Sequence, residues 1–202
     1  GRPRALPLFF SSPGSVLYIG RALSFAYGPG GRTLFRRSTP IQRDYLIDEF
    51  RTEASACGIT GSVHIQVGAE DAMAEAQWVQ SVADAMPVWP MAQVVFCDLT
   101  APDLNNQLDA FQKLSTVKGV RQIIGRAPGE DAVTGTNDLL DNPAFLAGLK
   151  EAGARGLRFD LQLIPELMEK TAHVLAVAPE TSIGPCPQGS PPNPNTPGLY
   201  AA

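Results

Sequence analysis

Histidine is almost missing from this chain: His64 and His173 are the only two in 202 residues. Imidazoles so far apart in sequence do not make a His-rich zinc site. Cysteine is scarce as well, and Cys57, Cys97 and Cys186 contain no CxxC pair. An odd, scattered set gives no disulfide framework and fits a reducing compartment. No run of about 18 apolar residues occurs, so no transmembrane helix is expected. The GxxxxGK[ST] phosphate loop, the HExxH zinc helix and the GxSxG nucleophile elbow are all absent. Gly28-Pro29-Gly30-Gly31 is no dinucleotide fingerprint, because the third glycine is missing at the required spacing and no helix follows. A formal charge of -4 gives no reason to expect nucleic acid or an anionic membrane as partner.

What remains is an ordinary globular composition, 44% apolar and 18% charged, in a length that suits one sizeable domain. The charge is uneven. Residues 1–40 hold six arginines (Arg2, Arg4, Arg21, Arg32, Arg36, Arg37) and no acid, and Gly28 to Gly31 break any regular element there. We expect an irregular Arg-rich segment over 1–40. The expected location is cytoplasmic; an acid-free, Arg- and Ser-containing start also resembles an organelle transit peptide. At the other end, residues 185–202 carry six of the 18 prolines, which predicts an irregular tail.

Between these ends, over 41–184, strand and helix patterns alternate. Leu46, Phe50, Ala54 and Cys57 recur at helical spacing, and Gly58 stops that helix. Ser62 to Val67 alternates as a strand, which places His64 on the same side as Gln66. A satisfied core histidine is the first reading of His64, and a surface or boundary position that of His173. Asp71 caps a helix whose stripe is Ala76, Val79, Ala83 and Met86. Gln93–Cys97 is an apolar strand. Thr100 is the expected N-cap of the next helix, which carries Leu104, Leu108 and Phe111. Asn142 caps and Pro143 opens a further helix, with Phe145 and Leu149 toward the core. Leu157–Leu163 and Ser182–Cys186 are the last strands, with a helix from Pro165 between them. The alternation predicts βαβ units and a parallel sheet of about five strands. An open doubly wound sheet and a (β/α)8 barrel both accept that pattern.

The segment Lys118 to Ile124 stands out. Val120, Ile123 and Ile124 make a strand-length apolar run, and Arg121 sits inside it. A guanidinium in such a run needs an anion or a cavity. One reading pairs it with a carboxylate on a neighbouring strand, Asp98 or Asp160. The other has Arg121, at a strand's carboxyl end, gripping a substrate carboxylate in bidentate fashion. Cys97 or Cys186 could also sit at a strand end as a nucleophile, although free cysteines are more often inert core residues.

Several segments, taken in order, resemble the amidohydrolase-related family, in its L-fuconolactonase and 2-pyrone-4,6-dicarboxylate lactonase-like branch. They are Tyr45 to Phe50, Val63 to Gln66, Glu75 with Trp78-Val79, Lys118 to Arg121, and Asn142 to Phe145 leading through Gly148-Leu149 and Gly156-Leu157 to Phe159-Asp160-Leu161-Gln162. The likeness covers roughly 40–190. It implies a (β/α)8 barrel, here partial, with a hydrolytic site at the carboxyl ends of the strands and a divalent metal in some members. It also implies a lactone, ester or amide of a small carboxylic acid as substrate, and Arg121, Gln66 and Gln162 as substrate-contacting residues.

The chain departs from that pattern. It has no His-x-His, and Pro187 stands where the family places a histidine before Gly189-Ser190-Pro191. The family's final strands and their Asp would lie beyond Ala202. No catalytic residue or metal ligand carries over, and no cofactor is evident in the chain. A hydrolase fragment with an incomplete site is therefore expected. The alternative is a non-catalytic relative that binds a small carboxylate or serves as a scaffold. A sheet of five strands also leaves two edges open to self-association.

Overall fold

The computed structural model describes residues 6–9, 18–20, 46–124, 131–132, 134–162, 164–176 and 178–185. They fall into two compact units: residues 1–96 with 106–119, and residues 97–105 with 120–202.

In the first unit, β1 (Leu6–Phe9) pairs antiparallel with β2 (Tyr18–Gly20), inside the segment expected to be irregular. The rest of 1–45 lies outside the described residues. Helix α1 (Ile47–Ala56) buries Phe50 and Ala54. Leu46 and Cys57, placed on the same stripe by spacing, are the two caps and both are exposed. Gly58 then takes φ 77°, the left-handed conformation that ends helices. Phe50 and Ala54 pack with Ile59 and Trp89, the two rings meeting edge to face at 5.8 Å.

Strand β3 (Ser62–Ile65), helix α2 (Ala72–Ala85) and strand β4 (Met91–Phe96) follow. The strands pair in parallel from Ser62 opposite Met91 to Ile65 opposite Val94. Asp71 caps α2 as expected, accepting from the Ala74 N–H at 2.9 Å. Ala76 and Val79 are buried, and so is Glu75, an acid that the apolar stripe did not reveal. Buried Gln93 bolts the layer together, donating to the Ala76 carbonyl and to Thr116 Oγ1.

Helix α3 (Leu104–Gln112) and strand β5 (Val117–Arg121) run from one unit into the other. Leu104, Leu108 and Phe111 are buried, as their spacing predicted. The expected cap was wrong, however: α3 begins at Leu104, and Thr100 is no N-cap. The Thr100 N–H and hydroxyl both donate to Asp98 Oδ1, at 2.9 and 2.7 Å. The short Asp98 side chain captures the local donors and makes a turn where a helix start was expected.

The second unit continues with α4 (Pro143–Ala154), capped by Asn142, then β6 (Arg158–Leu161), α5 (Met168–Ala176) and β7 (Ile183–Pro185). Pro165 opens a 3-10 turn ahead of α5. Strands β6 and β7 pair in parallel, with Phe159 opposite Ile183 and Asp160 opposite Gly184. Phe145 of α4 meets Phe159 edge to face at 5.9 Å. The sheet order is β3-β4-β5-β6-β7, sequence order throughout, with helices in the intervening connections. Five parallel strands in sequential order are a partial (β/α)8 pattern; a doubly wound sheet would reverse direction at a switch point. Among the described residues, no helix is long and apolar enough to cross a membrane. Of the proline-rich tail, Pro185 closes β7 rather than lying in irregular chain, and Cys186 and the residues after it lie outside the described residues.

Candidate functional site

Side chains alternate across a strand, so β6 has two faces. Phe159 and Leu161 are buried on the face that meets α4. Arg158, Asp160 and, just past the strand's end, Gln162 therefore line the other face. Arg121, the last residue of β5, is 9% exposed. Its Nη2 donates to Gln162 Oε1. Its Nε lies 3.5 Å from Asp160 Oδ2, and the two side chains keep 11% and 14% exposure. The strand-end Arg121 thus has the neighbouring-strand carboxylate that the first reading required, and it is Asp160 rather than Asp98.

The ion pair is incomplete. Arg121 Nε and Asp160 Oδ2 are both buried, and neither makes a hydrogen bond. Burial pushes the Asp160 carboxyl above its usual 3.8, with the Arg121 charge opposing that rise. Buried polar atoms are nearly always satisfied in folded proteins, and the exceptions concentrate where a ligand or a reaction uses them.

Asp98, the other candidate partner, builds the turn after β4. Gln122 Nε2 donates to Asp98 Oδ1 at 3.0 Å, while the Leu99 N–H donates back to Gln122 Oε1 at 3.0 Å. Burial alone would raise the Asp98 carboxyl, but hydrogen bonds from Thr100 and Gln122 outweigh it and hold the group below its ordinary value. Cys97 also reaches this strand end. It is fully buried, and burial, reinforced by the charges of Asp98 and Asp103, pushes its thiol up to about 12. A thiol that seldom ionises is no nucleophile, so the inert-core reading of Cys97 holds.

The first unit carries a separate polar cluster. His64, 2% exposed, bonds through Nε2 to Glu75 Oε1 at 2.7 Å. The same oxygen accepts the Val67 N–H at 3.0 Å, which ties the loop after β3 to α2. The satisfied core histidine was the sound reading, and its partner is the buried acid of α2. Gln66, on the same side as His64, turns its Oε1 onto the Gly68 N–H at 2.7 Å and so braces its own loop. We expect Glu75→Ala to cost about 2–4 kcal/mol, since it strands a buried imidazole and a backbone donor together. Urea midpoints would report the loss, and amide exchange should accelerate at Val67 first.

His173 lies exposed on α5, far in sequence from any other histidine. Among the described residues, no three of His, Cys, Asp and Glu gather to hold a metal ion.

Of the three residues picked from sequence as substrate contacts, the structure brings Arg121 and Gln162 together. It places Gln66 in the other unit, bonded within its own loop. Asp160 was visible only as a partner for Arg121. Its position two residues before Gln162 puts both on one strand face, and that period of two was the signal available.

No protein-family model matches the chain. An uncharacterized protein of Sinorhizobium fredii is 29% identical over 148 residues, covering 72% of this chain and 50% of that protein. The chain thus spans about half the length of the curated relative it matches. Among solved structures, an amidohydrolase from Burkholderia multivorans with bound zinc is similar with a TM-score of 0.60 at 18% identity, covering 73% of this chain and 48% of that one. A probable 2-pyrone-4,6-dicarboxylic acid hydrolase from Acinetobacter baumannii with citric acid bound is similar with a TM-score of 0.50 at 13% identity, covering 81% and 51%. These likenesses show the fold.

Proposed function

We propose that this chain supplies part of the substrate site of an amidohydrolase-type hydrolase acting on a lactone, ester or amide of a small carboxylic acid. Arg121 would anchor the substrate's carboxylate. One observation carries this reading: a guanidinium nine-tenths buried at a strand's carboxyl end, held by Gln162 and incompletely paired with Asp160. Guanidinium is the group of choice for bidentate recognition of carboxylate, and strand ends are where parallel α/β folds place their sites. The neighbour described as a probable 2-pyrone-4,6-dicarboxylic acid hydrolase with citric acid bound fits an anionic substrate. In this reading Gln162 orients Arg121, and Gln66 builds the loop after β3.

A second reading, a carboxylate binder without hydrolysis, is favoured by a specific observation. Neither His64, bonded to Glu75, nor Cys97, held protonated, is available as base or nucleophile. Citrate titrated into the full chain tests the shared claim. We expect Arg121→Met to weaken citrate binding at least about 100-fold, as loss of a buried charge-assisted pair does. Unchanged citrate affinity would sink both readings. Turnover of a panel of lactones by the chain would favour the first reading over the second.

A further inference from the structure

Arg121 meets its resident anion imperfectly. A guanidinium has a side edge, Nε with Nη2, and an outer edge, Nη1 with Nη2. Here Asp160 Oδ2 stands on the side edge, 3.5 Å from Nε without bonding to it, and Gln162 Oε1 accepts from Nη2, which the two edges share. Nη1 makes no hydrogen bond to the described residues, and it is the donor that a ligand would take.

We infer that Asp160 is the resident counter-ion of the Arg121 site, and that it takes up a proton when a ligand carboxylate binds that guanidinium. This rests on the carboxylate-binding reading above. Two carboxylates around one buried guanidinium repel each other, and one of them is driven to protonate. Asp160 is the one that yields. It forfeits no hydrogen bond to Arg121 by losing its charge, because none is made there. A ligand carboxylate on Nη1 gains a charge-assisted bond and keeps its own charge. Burial has already moved the Asp160 carboxyl toward the neutral form. The proton comes from solvent, and no covalent bond forms or breaks.

Among the described residues, the surroundings of Asp160 contain few other charges. Arg121 faces it from β5, and Arg158 lies two residues back on the same face of β6, exposed to solvent. Opposite it on β7 stands Gly184, which has no side chain, and Gln162 is neutral. Phe159 and Leu161 close the other face of the strand. Among the described residues, Asp160 is therefore the group at this site on which an added proton should land.

The test uses trifluoroacetate, a carboxylate that stays ionised across the range, so that any proton taken up is the protein's. Fluorine NMR on the full chain gives its affinity at a series of pH values. A lightly buffered indicator counts protons taken up on binding. We expect uptake to approach one proton, with affinity falling up to about tenfold per pH unit between Asp160's ionisation in the free and in the liganded protein. Asp160→Asn should bind trifluoroacetate at least as tightly at neutral pH, with no uptake and a flat profile. A purely structural aspartate predicts weaker binding instead.

Arg121-dependent binding without proton uptake, or uptake that survives in Asp160→Asn, would overturn the inference and leave the carboxylate site standing. Binding that ignores Arg121→Met, or none at all, would overturn both. Should Asp160→Asn fail to fold, the proton count on the unmodified chain still decides.

Discussion

Gly148→Ala should destabilise the protein by about 2 kcal/mol or more, although alanine is the better helix former by about 1 kcal/mol. Gly148 lies in α4, and a methyl group there would fall 2.2 Å from the Leu99 carbonyl oxygen and 2.9 Å from Leu104 Cδ2. The first obstacle is backbone, so it cannot turn aside as a side-chain end would. The Leu99 amide is fixed in turn by Gln122, which also holds Asp98, so the turn cannot move without breaking those bonds. The propensity gain is real but smaller than the cost of forcing helix and turn apart. Urea denaturation would measure it as a lowered midpoint with an unchanged slope. Gly184→Ala is the control: it meets nothing within 4 Å, and its midpoint should barely move. A Gly148→Ala protein as stable as the parent would mean that α4 does not rest on that turn.

The contrast between those glycines shows what sequence can convey. The α4 pattern, with Asn142, Pro143, Phe145 and Leu149, was legible because capping and helical spacing are local rules, and each residue sits where those rules put it. The reason for Gly148 was invisible, because it depends on a carbonyl nearly fifty residues earlier in the chain. Thr100 failed for a related reason. Its position suited an N-cap, but Asp98, two residues back, offered its donors a nearer acceptor.

Leu46 and Cys57 extended a true helical stripe past the helix's real ends, where nothing packs over them. At the site, the apolar run around Arg121 announced a buried cation, because that conflict is contained within a few residues. Its partners did not follow from the run itself. Asp98 and Asp160 were equal candidates until the fold set β6 beside Arg121 and committed Asp98 to Thr100 and Gln122.

Removing the Arg121–Asp160 pair whole should cost far less than removing either half. We expect Asp160→Leu to lose about 3–5 kcal/mol, because Arg121 would remain buried and charged without its anion. Arg121→Met should cost less, since the stranded Asp160 can discharge by taking a proton and arginine cannot release one. The sign of the pH dependence follows. Asp160's folded pKa already lies above its ordinary 3.8 through burial, and loss of the opposing Arg121 charge raises it further. A carboxyl that holds its proton more tightly when folded stabilises the acid end. Stability of Arg121→Met should therefore fall as pH rises from 3.8 through the folded pKa, and level off above it. The double variant, Arg121→Met with Asp160→Leu, should return to within about 1 kcal/mol of the parent or exceed it, as well-packed apolar replacements of buried pairs do. Chemical denaturation of the four proteins at neutral pH closes the cycle. A stable double variant that no longer binds citrate would show that the pair is kept for its ligand rather than for the fold. Single losses that simply add would show that Arg121 and Asp160 do not depend on each other, and the site drawn here would lose its electrostatic basis.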